Sequence, residues 1–248
     1  MKSKQAGILK VFYIVFMTGV FTLWSCTKII IGSYFVKDYR PYIDGIMKKW
    51  AVRLLSLVKV VTLVKGKENI PQNSNRPLIV MCTHSSLYDM PVAIQALNIS
   101  FRFVAKKELY SIPIFGTALR KAEFVSIDRH NHDQAIKDLK EAKEKMIDGI
   151  TLWMAPEGTR SKDGKLARFK RGAFHVAIDT QALILPVVIK NIHEVQAGDE
   201  LKVHTERTVD VEICEAVDAA NFTVDDRVEL INIVRSKMLT ALGQEESI

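Results

Sequence analysis

Short apolar runs alternate with amphipathic patterns along most of the chain after residue 63. Apolar runs bounded by turn-forming residues predict strands, and apolar positions repeating every three to four residues predict helices. The alternation favours an α/β fold with a mixed, largely parallel sheet flanked by helices, in which ligands bind at the carboxyl ends of the strands. The predicted strands cover residues 78–83, 101–105, 124–127, 151–155, 183–189 and, with a break, 201–213; the predicted helices begin near residue 90 and cover 114–120, 132–148, 171–180 and 224–242.

The first 37 residues are largely apolar, and their only charged residues are lysines. No Asp or Glu precedes Asp38, and 17 uncharged residues separate Lys10 from Lys28. As a helix those 17 residues would extend about 26 Å, slightly less than the hydrocarbon core of a bilayer, whereas continuation to Val36 would span it. Because lysines flank both ends, the pattern fits a helix that crosses the membrane and equally one that enters and returns.

The next segment, residues 43–64, mixes large apolar residues with lysines and Arg53, which indicates an interfacial or partner helix turning into a strand near Val60. We therefore divide the chain into a membrane-anchoring helical segment, 1–62, and an α/β domain, 63–248. A cleaved signal is the competing interpretation, since residues 23–26 resemble a lipoprotein processing site. Trp24 is an awkward residue for such a site.

Two predicted helices carry capping residues at their N-terminal ends. Asn131 precedes the first, with Gln134 three residues on and Gly149 just past its end, and Thr223 is expected to cap the last helix, with Asp226 in its first turn. The charged stripe of the 132–148 helix contains no aromatic or groove-reading residues. The net charge of +7 alone does not choose among anionic partners, but this pattern predicts no nucleic-acid partner.

Three cysteines, Cys26, Cys82 and Cys214, are odd in number and widely spaced. They are predicted to be reduced and buried rather than joined in a disulfide or a metal site. His130 and His132 lie at a helix start without neighbouring Cys or further His ligands, so we expect no metal.

His84 and Asp89 follow the apolar run 78–83 and are five residues apart. On a continuous helix their side chains would diverge by about 140°. Pro91 disfavours helical geometry at the preceding residue and suits a first helical turn, which leaves 84–88 as a loop that can fold Asp89 back onto the imidazole. Asp89 would then fix the tautomer, and the other ring nitrogen could accept a proton. The alternative is that Asp89 only caps the helix and His84 is an ordinary loop histidine.

Cations and glycine also follow other predicted strands. After Pro156 come Glu157, Gly158, Thr159 and Arg160, where Gly allows close backbone approach and Thr and Arg supply donors that suit a phosphate. Two further strand ends carry cations, namely Lys106, Lys107 and Arg129. Taken singly, each is better explained as a surface turn or a solvated charge; together they indicate a phosphate site at one edge of the sheet.

These blocks resemble the glycerophospholipid acyltransferases, most closely the bacterial 1-acyl-sn-glycerol-3-phosphate acyltransferases. The resemblance extends over about residues 64–192, in matching order and spacing. It rests on the His-x4-Asp block at 84–89, the Lys-Glu-Leu block at 107–109 with Pro113 and Gly116, the block at 124–129, Pro-Glu-Gly-Thr-Arg-Ser at 156–161, the run at 169–174 and Leu-Pro-Val-Val at 185–188.

The resemblance implies transfer of a fatty acyl group from acyl-CoA or acyl carrier protein to lysophosphatidic acid, without a cofactor. It assigns His84 as general base and Asp89 as its orienting partner. It implies that Arg160 and Arg129 hold the acceptor phosphate with help from Lys106 or Lys107, and that Glu157 and Gly158 shape the acceptor pocket. Thr83 and Ala155 depart from the usual family residues, and both are expected to border that pocket.

The resemblance also implies a place at the inner membrane on its cytoplasmic face. Glycerol 3-phosphate or another lysophospholipid is the alternative acceptor, and a non-catalytic lipid-binding protein is the alternative outside enzymes. A nucleophile at Ser85 or Ser86 is disfavoured because the chain has no Gly-x-Ser-x-Gly elbow. Backbone N–H groups near the helix start after residue 88 are candidate oxyanion donors.

Overall fold

The computed structural model describes residues 4–72, 75–128, 131–197 and 202–245, without the side chains of Lys4 and His132. The α-helices are α1 (Ile8–Phe35), α2 (Tyr39–Val58), α3 (Asp89–Leu97), α4 (Phe115–Lys121), α5 (His132–Ile147), α6 (Gly172–Asp179) and α7 (Arg227–Leu242). The strands are β1 (Lys4–Gln5), β2 (Val61–Lys65), β3 (Leu78–Cys82), β4 (Arg102–Lys106), β5 (Val125–Ile127), β6 (Leu152–Met154), β7 (Leu183–Lys190), β8 (His204–Thr205), β9 (Thr208–Ile213) and β10 (Val217–Asp218).

The central sheet is mixed and largely parallel, which confirms the predicted fold class. Its strands follow the order β2-β9-β7-β3-β6-β4-β5, with β10 paired to β7. Strand β3 runs parallel to β6 and β7, and β4 runs parallel to β5 and β6. The antiparallel pairs of this sheet join β7 to β9 and to β10. The carboxyl ends of β3, β4, β5 and β6 therefore share one edge.

Both faces of this sheet are covered, so its central strands consist of continuous apolar residues. In β3, Val80 and Cys82 belong to a hydrophobic cluster shared with α1 to α4. Ile79 and Met81 point the other way, into a cluster shared with α5, α6 and α7. The alternation of side chains along a strand thus separates two helical layers.

Helix α1 lies against the α/β domain along its length. Its 28 residues extend about 42 Å. At its start, Ala6 N donates to Val203 O at 2.9 Å, and near its end the Lys121 ammonium lies over the Tyr34 ring at 4.7 Å. Both ends of α1 therefore contact the same domain.

Much of α1 nevertheless exposes apolar side chains. Within the described ranges, α1 is the one helix long and apolar enough to cross a membrane, and only 22% of its most apolar 18-residue window is buried. The most exposed large side chains include Ile8, Leu9, Phe12, Phe16, Tyr34 and Phe35. A helix of the protein core would bury such residues.

Helices α1 and α2 form a close antiparallel pair. Tyr39 Oη donates to Ile29 O at 2.6 Å, and Trp50 Nε1 donates to Thr22 Oγ1 at 3.0 Å. A Cβ atom built on Gly32 would lie 2.2 Å from Tyr42 Cε1, so glycine is required where the Tyr42 ring crosses α1. Cys26, which a lipoprotein signal would modify, is buried in α1 with 6% exposure.

Ion pairs join α2 to the sheet at the edge opposite the carboxyl ends of β3 to β6. Arg102, with 1% exposure, donates to Asp44 at 2.7 Å, and Arg40 donates to Glu123 at 2.8 Å and to Asp148. The helical segment and the α/β domain therefore share polar contacts as well as one hydrophobic cluster.

The predicted elements are present, but several bounds differ. Asn131 Oδ1 accepts from Gln134 N at 3.0 Å, which confirms that cap. The predicted start of the last helix was three residues early: α7 begins at Arg227 after Asp226, whose side chain accepts from both Thr223 N and Thr223 Oγ1. The predicted break in the 201–213 strand is confirmed between β8 and β9; Leu201 lies outside the described residues.

Candidate active site

The shared carboxyl edge of β3, β4, β5 and β6 gathers most of the residues singled out in the sequence. His84 follows β3, Glu157 follows β6, and Lys106 ends β4. Arg129, which follows β5 in the sequence, lies outside the described residues, as does His130. The structure therefore brings together loops that are far apart in the chain.

His84 and Asp89 are in direct contact, as the folded-back loop predicted. His84 Nδ1 lies 2.7 Å from Asp89 Oδ2, and the amides of Ser85 and Ser86 donate to the same oxygen at 2.8 and 2.9 Å. Asp89 is fully buried as the first residue of α3, whereas the His84 side chain is 19% exposed. With Nδ1 donating to the carboxylate, Nε2 is the nitrogen that can accept a proton.

Three further contacts fix the position of His84. Its carbonyl accepts from Ser161 N at 2.7 Å, and its amide donates to Glu157 Oε1 at 3.2 Å. The Trp153 ring meets the imidazole edge to face, with centroids 6.1 Å apart. Sequence reasoning missed Trp153 and Ser161 as neighbours of His84, because each comes from a segment about 70 residues away in the chain.

Glu157 connects two loops from a buried position. Its side chain accepts from His84 N through Oε1 and from Ala167 N, at 2.9 Å, through Oε2. Burial is the main cause that raises the pKa of this carboxyl. Because both oxygens already accept from backbone amides, Glu157 holds the two loops in position.

Gly158 turns the chain so that the following residues reach the surface. It has φ +77, a left-handed conformation that favours glycine, and its Cα faces the Lys170 side chain. Thr159 is exposed and Arg160 is half-buried. Lys170, which belongs to the 169–174 run of the resemblance but was given no role there, packs against this turn while its amide donates to Pro156 O at 2.7 Å.

Lys106 and Lys107 lie at the same edge, and each has an acidic neighbour. Lys106 Nζ is 3.8 Å from Glu108, and Lys107 Nζ is 3.1 Å from Asp128. Both lysine side chains are about half exposed or more. They can therefore turn toward an anion if they exchange these exposed partners for it.

One expectation for the loop after β3 needs correction, and two of its amides are already occupied. Thr83, expected to border the acceptor pocket, is buried, and its Oγ1 accepts from Ile189 N at 2.9 Å, which joins β3 to β7. Ser85 and Ser86 cannot supply oxyanion donors, because their amides are bonded to Asp89. Of the other amides in the described loop, those of His84 and Tyr88 also have acceptors. The Leu87 amide is therefore the one in residues 84–88 that could donate to an oxyanion.

The described residues of the site include no grouping that suits a metal ion. Across the described ranges, no set of three or more His, Cys, Asp or Glu side chains is placed to hold one. The described part of the site therefore offers an imidazole, a carboxylate and nearby cations as its reactive or charged groups.

Comparisons with known proteins agree with this arrangement. The acyltransferase family profile matches residues 61–190. The chain is 31% identical over 191 residues, 75% of its length, to the chloroplastic 1-acyl-sn-glycerol-3-phosphate acyltransferase of Arabidopsis thaliana, and spans 52% of that protein. It is 30% identical over 199 residues to the Haemophilus influenzae 1-acyl-sn-glycerol-3-phosphate acyltransferase, covering 77% of this chain and 78% of that protein.

The fold has a close counterpart among solved structures. The crystal structure of the 1-acyl-sn-glycerophosphate acyltransferase of Thermotoga maritima superposes with a TM-score of 0.81 at 28% identity. The match covers 97% of this chain and 98% of that chain. The similarity therefore includes the N-terminal helices as well as the α/β domain.

Proposed function

The chain belongs to the acyltransferase family, and we propose that it transfers a fatty acyl group from an acyl thioester to the sn-2 hydroxyl of lysophosphatidic acid, giving phosphatidic acid. The observation that carries this proposal is the contact between His84 and the buried Asp89 beside the Glu157 to Arg160 turn. The names of the relatives support the choice of acceptor.

The proposed reaction needs one base and no covalent enzyme intermediate. His84 Nε2 takes the proton of the acceptor hydroxyl as its oxygen attacks the thioester carbonyl carbon. When the tetrahedral intermediate collapses, the C–S bond breaks and the imidazolium returns the proton to the leaving thiol. Asp89 holds the ring in the productive tautomer and stabilises the imidazolium during the intermediate.

The acceptor phosphate is proposed to bind the cations at the carboxyl edge of the sheet. Arg160 is the main candidate because its planar guanidinium can bind a phosphate through two parallel hydrogen bonds. Thr159 follows the left-handed Gly158 turn, and Lys106, Lys107 and Arg129 are the supporting candidates. Acyl-CoA or acyl carrier protein supplies the acyl group as co-substrate, and the reaction requires no cofactor.

We further propose that α1 lies in the membrane interface instead of crossing the bilayer. A crossing helix would place its two ends on opposite sides of the membrane, whereas both ends of α1 contact one domain. Its exposed apolar face fits the headgroup and acyl boundary, with Lys48, Lys49 and Arg53 of the adjacent α2 close to anionic headgroups. The proposed location is the cytoplasmic face of the inner membrane, where acyl thioesters are available.

One assay separates the candidate acceptors. Radiolabelled acyl-CoA or acyl carrier protein is supplied with lysophosphatidic acid, glycerol 3-phosphate or lysophosphatidylcholine, and products are resolved by thin-layer chromatography. We expect labelled phosphatidic acid from lysophosphatidic acid and none from the His84→Ala variant. A product from another acceptor alone would reassign the substrate, and no product with any acceptor would favour a lipid-binding protein.

Replacing Arg160 by lysine tests the phosphate assignment. The charge remains, but a point charge replaces the guanidinium fork, so the KM for lysophosphatidic acid should rise by about ten-fold with a smaller change in kcat. Arg168→Lys, at an exposed position of the same loop, is the matched control and should leave this KM unchanged. Equal KM values for wild type and Arg160→Lys would remove Arg160 from the phosphate site.

A further inference from the structure

A strongly basic segment follows the Gly158 turn. Residues 160–171, here called the basic loop, contain six cations and one acidic residue, Asp163. Asp163 accepts from Ser161 Oγ and from Lys165 N, both at 3.1 Å. Five of the cations have exposed side chains: Lys162, Lys165, Arg168, Lys170 and Arg171.

The five exposed cations of the basic loop form no ion pairs within the described part of the chain. Elsewhere several arginines and lysines form ion pairs, for example Arg40 with Glu123, Arg102 with Asp44 and Lys190 with Glu212. None of the five exposed loop cations forms an ion pair with a carboxylate among the described residues. Such an uncompensated patch raises the local potential and attracts an anionic partner.

The backbone of the loop is held in place although five of its cations are exposed to solvent. Leu166 and Phe169 are buried, and Leu166 N donates to Gln244 Oε1 at 3.0 Å. Gln244 Nε2 donates to Gly164 O at 3.0 Å. A fixed backbone presents its charges in a constant arrangement, which reduces the entropy lost when a partner binds.

The loop is also connected directly to the catalytic base. Ser161 N donates to His84 O, and Glu157 accepts from both His84 N and Ala167 N. A partner bound to the exposed cations would therefore contact a loop that is hydrogen-bonded to the main chain of the catalytic base. That position suits the carrier of the acyl thioester, which must bring its carbonyl carbon to His84.

The position of the loop distinguishes a soluble carrier from the bilayer. Leu166 and Phe169 pack in the cluster formed with α5, α6 and α7, whereas α1 and α2 cover the other face of the sheet. The exposed apolar face of α1 is thus separated from the basic loop by the sheet. An anionic membrane bound through α1 would be in contact with the opposite helical layer.

We propose that the basic loop is the docking surface for an acidic acyl carrier protein, which presents its thioester to His84. This inference rests on the proposed acyl transfer and names the donor that the enzyme recognises by protein contact. The exposed cations are distributed along ten residues of surface loop, which suits the acidic face of a protein helix. Acyl-CoA carries its negative charge on one small nucleotide group, so it would contact fewer of these cations than the face of a protein.

The test compares two charge-reversal variants that change the net charge equally. Lys165→Glu/Arg168→Glu alters the basic loop, and Lys65→Glu/Lys67→Glu alters exposed lysines at the opposite edge of the sheet. We expect the loop variant to raise the KM for acyl carrier protein by about ten-fold or more, with a clearly smaller rise for acyl-CoA, and the control to change neither. The wild-type kcat/KM for acyl carrier protein should also fall with added salt, because exposed charges are screened beyond about 8 Å at physiological ionic strength.

Direct binding separates failure of docking from failure of the proposed reaction. Fluorescently labelled acyl carrier protein should bind the wild type and the control variant but not the loop variant, as measured by anisotropy. An equal rise of KM for both donors, an unchanged KM for acyl carrier protein, or loss of vesicle binding alone would overturn the docking proposal. Absence of turnover with both donors, with carrier binding retained, would instead contradict the proposed transfer.

Discussion

At the scale of single residues, Asp89 accepts three hydrogen bonds through one carboxylate oxygen. In Asp89→Asn an amide oxygen can accept the same three bonds, so the loop should keep its shape. The negative charge beside the imidazolium is lost, and we expect kcat to fall by about 10²- to 10⁴-fold. Steady-state kinetics and a thermal melt measure the two effects separately. A variant that retains kcat would show that the carboxylate charge is not needed.

Glu157 offers a second test, because both its oxygens accept from amides. In Glu157→Gln one carboxylate oxygen is replaced by an amide NH2 group. This donor then faces another N–H donor, the main-chain amide of either His84 or Ala167. The buried position makes this mismatch cost about 1–3 kcal/mol of unfolding free energy, measured by denaturant titration at neutral pH. Glu157→Asp is the control that keeps the charge but shortens the reach. Equal stability of wild type and Glu157→Gln would mean that the two amide bonds contribute nothing.

The difference in unfolding free energy between wild type and Glu157→Gln should change with pH in a defined direction. Burial raises the pKa of the Glu157 carboxyl above its ordinary value of 4.5, so the proton is held more tightly in the folded state. The resulting stability is fully present below the ordinary value and is lost as pH rises through the raised one. Glu157→Gln has no such group, so wild type should gain stability relative to it on acidification. A difference that stays constant with pH would contradict the raised pKa.

Residue-level prediction succeeded where the partners are close in sequence. His84 and Asp89 lie on either side of a short loop, and Pro91 indicates where the helix must begin, so their contact follows from local rules. Thr83 points inward because its hydroxyl accepts from β7, and Glu157 accepts a second hydrogen bond from Ala167. Both partners come close only in the folded chain. No local pattern specifies those approaches.

At the scale of elements, the contact of α1 with α2 depends on one close approach. A valine side chain at residue 32 would overlap the Tyr42 ring, so Gly32→Val should push the helices apart and lower the melting temperature. Gly19→Val is the matched control, because nothing lies within 4 Å of a Cβ built there. We expect Gly32→Val to cost about 1–3 kcal/mol and the control almost nothing. Equal melting temperatures would show that the pair tolerates separation.

The element boundaries show which structural features can be predicted from the residue order and which cannot. Apolar periodicity located the principal strands and α-helices, because burial of one or both faces leaves that pattern directly in the residue order. The predicted start of α7 is three residues early, since Thr223 and Asp226 are both good capping residues and the sequence alone does not decide which of them directly precedes the helix. The short strands β1 and β10 have no pattern of their own.

At the scale of the whole molecule, the sheet separates two surfaces of different chemistry. Helices α1 and α2 present apolar and basic side chains on one side, and the basic loop lies with α5 to α7 on the other. The carboxyl edge with His84 lies between them. An acceptor drawn from the membrane and a donor from solution could therefore reach the same base from different sides.

This arrangement predicts that membrane binding depends on the apolar face of α1. Phe12 and Phe16 are 69% and 67% exposed, so Phe12→Ser/Phe16→Ser removes two large side chains with little effect on the core. Each buried aromatic side chain contributes about 1.5–3 kcal/mol to lipid binding, and cosedimentation with mixed phosphatidylcholine and phosphatidylglycerol vesicles should weaken by about ten-fold or more. Val224→Ser/Val228→Ser, exposed residues at the start of α7 and just before it on the opposite helical layer, should bind vesicles like wild type. If the two double variants lose binding equally, α1 is not the membrane contact, and the separation of acceptor and donor surfaces by the sheet fails with it.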